Sequence, residues 1–415
     1  MTANFIYRCT TCGRELNPGK PIYLCPDCAK KNSPGVPLKG VLKIVYDYDV
    51  IREDFKGDDI FYKLKNEYYI DLLPVNSIDS LPGLKIGNTP LYEVDQLEGK
   101  SLNAYLYLKD DTQNPTLSLK DRASALVSAF AKEHDMKTIV TASTGNAGSS
   151  LAGICAAQGQ DSVILVPETA PKAKLVQVMM YGATIVPVAG NYDDAYDLSI
   201  ELTRDTGIYN RNTAFNPLTV EGKKSVAFEI YDQLAGDLPE HIFIPVGDGV
   251  ILAGVYKGFE DLLKLGVIKK MPVMVAVQAE GSANLINNIG KEQPSFAKSK
   301  TIADSIEVDV PRNFYMAVQF LNTYNGIGLT VTDDDILAAS ALMARTTGIF
   351  AEPAAAAAFA GFLKMKKAGK IEEASSNLVL VTGSGLKDIQ VTEPLLKMPG
   401  PVRNNIKAVK KFLKL

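Results

Sequence analysis

Asn114-Pro115-Thr116-Leu117-Ser118-Leu119-Lys120-Asp121-Arg122 sets a lysine where a turn opens a helix. About twenty residues later a strand runs into Ser143-Thr144-Gly145-Asn146-Ala147-Gly148, a second turn that opens a helix. The pair suits an aldehyde cofactor. An amine at the first turn can bond covalently to the aldehyde, and the second can cradle a carboxylate with hydroxyls and free N–H groups.

Around these turns lies a pattern of short apolar runs. Ala104–Lys109, Thr138–Ala142, Ser162–Val166, Ala183–Val188, His241–Pro245, Val273–Gln278 and Asn377–Val381 read as buried strands. Helical patterns separate most of them, among them Arg122–Glu133, Leu151–Gln158, Lys172–Tyr181 and Ala195–Arg204. Such alternation predicts parallel sheets covered on both faces. The expected fold is α/β, with two doubly wound, mostly parallel sheets around a cofactor cleft and an N-terminal zinc-ribbon-like segment. The expected division is 1–36 for that segment, 37–86 for a connector packed on the core, and 87–415 for the catalytic core. A smaller mobile subdomain is expected at about 114–188.

Composition narrows the function. With 415 residues, 46% hydrophobic, 22% charged and a formal charge of −3, nothing drives the chain toward nucleic acid or anionic membrane. The basic run Lys407, Lys410, Lys411 and Lys414 reads as a solvated helix face. No apolar run approaches a membrane span of about 18 residues, and Met1–Phe5 lacks the basic and apolar regions of a signal peptide, so the cytoplasm is expected. Only two histidines are present, His134 and His241, which argues against a histidine triad. Proton transfer then falls to lysine, carboxylate or a cofactor.

Four of the five cysteines form two pairs, Cys9-x-x-Cys12 and Cys25-x-x-Cys28, around a loop rich in glycine and proline. The spacing predicts a closed structural zinc site with four thiolates. Cys155, within a run of small residues, reads as a packing residue.

Ligands in open α/β sheets bind beyond the carboxyl ends of the strands. Four turns occupy that place: the one before Lys120, Ser143–Gly148, Gly247-Asp248-Gly249-Val250-Ile251, and Thr382-Gly383-Ser384-Gly385. Pyridoxal phosphate fits them. Lys120 would bond its aldehyde, and Gly247, Asp248, Gly249, Val250 and Ile251 would offer backbone N–H groups to its phosphate. Asn146 would donate to the phenolic oxygen, and Thr382 would meet the ring nitrogen with a neutral hydroxyl. A neutral partner leaves that nitrogen largely unprotonated, which suits elimination and replacement better than transamination.

With these residues stand further marks: Gly87-Asn88-Thr89-Pro90-Leu91, Glu352-Pro353-Ala354, and Thr382-Gly383-x-Gly385-Leu386-Lys387-Asp388. Together they resemble the threonine synthase branch of the fold-type II pyridoxal phosphate enzymes, from Leu84 to Asp388. The resemblance implies that Lys120 is the Schiff-base lysine, and that Ser143, Thr144 and Asn146 bind the carboxylate of an amino-acid substrate such as O-phosphohomoserine. It also implies a homodimer.

Against that family pattern, Ala147 replaces a threonine, Thr219 an arginine and Ala214 a serine around the substrate phosphate, and Asp248 replaces an asparagine in the cofactor-phosphate turn. Arg211, Lys223 and Lys224 are the nearby cations that could compensate, although Lys223 and Lys224 read as a solvated helix face. A second reading therefore keeps fold and cofactor but changes the substrate. It is a deaminating α,β-elimination or β-replacement on a serine, threonine or diamino acid. A third, a cofactor-free module that binds a protein partner, is disfavoured by the retention of Lys120, Asn146 and Thr382.

Overall fold

The computed structural model describes residues 5–33, 35–55, 59–393 and 396–415. At the N-terminus, β1 (Phe5–Cys9) pairs antiparallel with β2 (Glu15–Leu16) on one side and with β3 (Leu42–Tyr46) on the other. A single turn of helix, α1 (Pro26–Ala29), carries the second cysteine pair. Because β3 lies beyond residue 36, the cysteine-bearing segment and the stretch after it share one sheet. Two short helices follow, α2 (Tyr48–Asp54) and α3 (Ile60–Asn66), each capped by an aspartate that accepts backbone N–H groups.

The core opens with β4 (Leu91–Leu97) and β5 (Lys100–Asp110), an antiparallel pair. Then α4 (Lys120–Glu133) leads into a four-stranded parallel sheet built from β6 (Thr138–Ala142), α5 (Asn146–Gln158), β7 (Asp161–Pro167), α6 (Lys172–Met180), β8 (Thr184–Val188), α7 (Tyr192–Thr206) and β9 (Tyr209–Asn210). Its order is β8-β7-β6-β9, so it extends past Val188 to Asn210. The chain then completes a larger sheet through α8 (Leu218–Gln233), β10 (His241–Pro245), α9 (Val250–Lys264), β11 (Val273–Ala279), α10 (Phe314–Thr323), β12 (Ile327–Val331), α11 (Asp333–Thr347), α12 (Pro353–Lys367) and β13 (Ser376–Val381). Its order is β12-β11-β10-β13-β5-β4, parallel throughout except for the β4–β5 edge. A short α13 (Ile389–Thr392) and an exposed, basic α14 (Ile406–Leu413) end the chain.

All seven strands expected from the sequence form, shifted by a few residues at most. Their apolar runs are continuous because helices cover both faces. Six strands lie outside that expectation: the N-terminal β1–β3, the two-residue β9, and β4 and β12, edges of the large sheet with mixed exposure whose runs are broken by Glu93, Asp95 and Gly328. On one face, the alanine run of α12 allows close approach: a Cβ on Gly361 would lie 2.6 Å from Val277. Strands β5, β6, β10 and β13 all deliver their carboxyl ends to one cleft.

Candidate active site

The cleft holds a cavity of about 410 Å³ lined by Lys120, Ser143, Thr144, Asn146, Thr382 and the whole turn from Gly247 to Ile251. Every cofactor- and substrate-site residue expected from the sequence therefore lines one cavity. Residues the sequence reading did not assign also face it: Glu352, Lys223, Thr213 and Arg312.

Lys120 is the first residue of α4 and its amine has no hydrogen bond or ion pair among the described residues. Burial lowers its pKa, helped by the nearby Arg211 guanidinium and opposed by Glu352 and Asp248. The loop before it is pinned by motif residues: Asp121 accepts Thr116 N–H at 2.7 Å, and Lys387 donates to the Thr116 carbonyl at 2.8 Å. One turn away, Arg122 forks onto Asp111 (2.7 Å) and Glu229 (2.5 Å), and Glu229 also pairs with Lys109 at 2.6 Å. Gly87, with φ +74°, lets the chain wrap over Glu229; a Cβ there would lie 2.6 Å from its carboxylate.

Asn146 starts α5 and donates to both Glu352 oxygens at 3.0 and 2.9 Å. Burial raises the Glu352 pKa. Gly383 makes room for that carboxyl, since a Cβ there would stand 2.5 Å from it. Beside it the Thr382 hydroxyl points into the cavity without a partner among the described residues. Across the cleft, Gly249 adopts φ +85° and caps α9, so the Gly247–Ile251 turn presents a helix N-terminus to the cavity. Asp248 in that turn accepts Arg312 N–H at 3.0 Å, and burial raises its pKa.

Lys223 and Lys224 require a correction. They do not form a solvated helix face; both are completely buried. Helix α8 packs between α4 and α9, and the N-terminal sheet reaches it through the Tyr46–Glu221 bond. Lys224 is held by Glu221 (2.6 Å) and Asp261 (2.8 Å), away from the cavity. Lys223 faces the cavity, and among the described residues its amine bonds only the Thr219 carbonyl, at 2.8 Å. Burial, Arg211 and Lys120 all depress its pKa. Arg211 is fully buried too; it bonds Ser124 and Thr213, and its Nη2 has no partner among the described residues.

These donors fit pyridoxal phosphate: a free, depressed amine, an unpartnered hydroxyl, an amide, and a helix N-terminus for the phosphate. The cysteines converge separately, with the four thiols of Cys9, Cys12, Cys25 and Cys28 within 4.8 Å of one another, a group that could hold a metal ion. Cys155 is a buried packing residue. No helix among the described residues is long and apolar enough to cross a membrane.

Comparison with known proteins gives the family. A family model described as pyridoxal-phosphate dependent enzyme matches residues 83–383. Threonine synthase of Methanocaldococcus jannaschii is 33% identical over 414 residues, covering 99% of each chain. Threonine synthase of Methanosarcina acetivorans is 35% identical over 415 residues, covering 98% of each. Among solved structures, the processed form of threonine deaminase isoform 2 from Solanum lycopersicum superposes with a TM-score of 0.65 at 20% identity, covering 92% of this chain and 98% of that one. That likeness speaks for the fold, while the sequence relatives place the chain more closely: it belongs to the pyridoxal-phosphate-dependent enzymes and is a lyase of the threonine-synthase type.

Proposed function

We propose that the chain converts a phosphorylated amino acid of the O-phosphohomoserine type, with water, to threonine and inorganic phosphate. The observation that carries this reading is the pair of buried basic groups at Lys223 and Arg211, whose charged forms burial disfavours. Neither side chain has a carboxylate within ion-pair distance among the described residues, and Lys223 opens onto the cavity. Buried cations without counter-charge are expensive to maintain. An arriving phosphate would supply the missing charge, with Lys223 and Arg211 serving where the family pattern has an arginine at the position of Thr219.

The other residues take the following roles. Ser143, Thr144 and the free N–H groups at the start of α5 hold the substrate carboxylate. The turn Gly247–Ile251 holds the cofactor phosphate, Asn146 reaches its phenolic oxygen and Thr382 its ring nitrogen. Pyridoxal phosphate, when bound, withdraws electrons from the substrate and so stabilises negative charge next to the amino group. Lys120, with its depressed pKa, moves protons at the substrate α-carbon. Two contacts span the rim: Lys174 of α6 pairs with Asp304 at 2.8 Å, and Arg312 pairs with Asp193 of α7. They keep water from the cleft during reaction.

The reading includes zinc at the four cysteines. Tetrahedral zinc with thiolates at about 2.3 Å has sulfur–sulfur edges of about 3.8 Å. Cys9–Cys28 and Cys12–Cys25 lie 3.8 and 3.9 Å apart. Thiols arranged for metal suit a reducing compartment, here the cytoplasm. A homodimer and the mobile subdomain at about 114–188 complete the reading.

The test is an assay of the cofactor-loaded protein with O-phosphohomoserine, scoring phosphate and threonine. Equal release of both is expected. Ammonia and a 2-oxo acid from serine, threonine or a diamino acid, without turnover of the phosphoester, would favour the deaminating reading, in which Asp248 faces an ammonium group.

A further inference from the structure

The N-terminal sheet meets the catalytic core at α8, α9 and α10, where Lys43 of β3 pairs with Glu260 and lies over the Phe320 ring, and its contact with α8 is one that the assigned chemistry leaves unused. Tyr46, the last residue of β3, is almost fully buried and donates its hydroxyl to Glu221 Oε2 at 2.7 Å. The Lys224 ammonium bonds the same oxygen at 2.6 Å and lies 4.1 Å from the centre of the Tyr46 ring. Lys257 of α9 faces that ring from 4.8 Å. Tyr48 adds a hydroxyl to Asp261 at 2.6 Å.

Glu221 and Lys223 are two residues apart on α8. At about 100° per residue their side chains project to nearly opposite faces of the helix. A bond that fixes Glu221 toward the N-terminal sheet therefore fixes Lys223 toward the cavity. The other sides of α8 leave little slack. A Cβ on Gly222 would lie 2.3 Å from the Arg122 carbonyl of α4, and one on Gly254 of α9 would lie 2.7 Å from Lys223 Cβ. The strand pair that delivers Tyr46 has Cys9 at its far end, since Cys9 pairs with Leu42 and Phe5 with Tyr46. The cysteine cluster thus stands at one end of this strand pair and Tyr46, with its bond to α8, at the other.

We propose that Tyr46 is a positioning residue for anion recognition, holding α8 so that the Lys223 amine faces the substrate. This rests on the assignment of Lys223 to the substrate phosphate. The N-terminal sheet then acts on substrate affinity, though it contributes no group to the cavity.

The test uses the full-length, cofactor-loaded enzyme as wild type, Y46F, K223M and the double variant. Its readouts are KM and kcat for O-phosphohomoserine and inhibition by inorganic phosphate. Y46F is expected to raise KM and the phosphate inhibition constant by about fivefold while kcat moves less than about twofold. In the K223M background, Y46F should add no further rise, because residues acting through one another are non-additive. A Y46F enzyme with a lower melting temperature and unchanged KM would overturn the proposal, as would effects that multiply in the double variant. If K223M itself leaves KM unchanged, the phosphate assignment falls. If K223M raises KM and Y46F does not, only the positioning role falls.

Discussion

Lys223 and Lys224 are neighbours in sequence, equally buried, and opposite in circumstance. Lys224 sits among Glu221, Asp261 and Lys257, two acids against two bases, closed over by the rings of Tyr46 and Tyr48. Lys223 turns to the cavity, where its cationic neighbours are Arg211 and Lys120. One residue of helical rotation separates a charge the protein has neutralised from a charge it has left open. Burial alone therefore does not mark a functional lysine; missing counter-charge on a cavity wall does.

The largest way to break this contrast is at Lys224. Replacing it with methionine leaves Glu221 and Asp261 short of a partner in the interior. We expect a loss of about 3–5 kcal/mol in unfolding free energy by denaturant titration. K223M should do the reverse. It removes an uncompensated cation, so stability should hold or rise, while KM for the phosphoester climbs by about 10–100-fold, as for a lost charge-assisted hydrogen bond. Equal stability losses in both variants would erase the distinction.

Acid titration sharpens the same comparison. Although burial alone would raise it, the Asp261 carboxyl is held down at about 2 by Lys224 and Lys257. A depressed carboxyl adds stability above its unfolded value of about 3.9, and that stability drains away as pH falls toward 2. D261N should therefore flatten the acid limb of a melting-temperature profile. Lys223 has the opposite linkage. Its depressed pKa means the unfolded chain binds more protons, so its contribution to stability rises with pH up to the unfolded value of about 10.4. K223M should remove that alkaline slope and leave the acid limb alone.

Much of this architecture was legible before the structure, and the exceptions share a cause. Interior strands of a two-sided sheet are apolar end to end, so β6, β10 and β13 and the turns after them could be read directly. Edge strands β4 and β12 carry no such signature. The lysine pair was misread because Glu221-Gly222-Lys223-Lys224 has the composition of a solvated face. Its burial comes from tertiary neighbours that local sequence does not name. A signal did exist: Gly254 and Gly258 lie four apart on α9, and the space they leave is filled by Lys223 and the Lys224 backbone. Glu352 was visible in a quoted motif, yet its part in the cleft depends on Gly383 and Asn146, which lie far from it in the chain.

The smallest expected effect lies at Asp248. Its Oδ1 accepts the Arg312 N–H at 3.0 Å, a bond that an asparagine oxygen can also accept, so D248N should keep the turn intact while deleting one negative charge from the cavity wall. Anion binding should then tighten modestly, about threefold in the phosphate inhibition constant, as expected for one like charge removed at several ångströms in a partly screened site. Asp248 also raises the Lys120 pKa. Without it the Lys120 amine, set free when substrate takes its place on the cofactor, should lose its proton at lower pH, and the acid limb of the kcat profile should move toward acid. A substrate bearing an ammonium group in place of phosphate would respond with the opposite sign, weakening when Asp248 is neutralised. The direction of the change in KM thus distinguishes the two charge readings of the cavity with a single atom exchanged in the side chain.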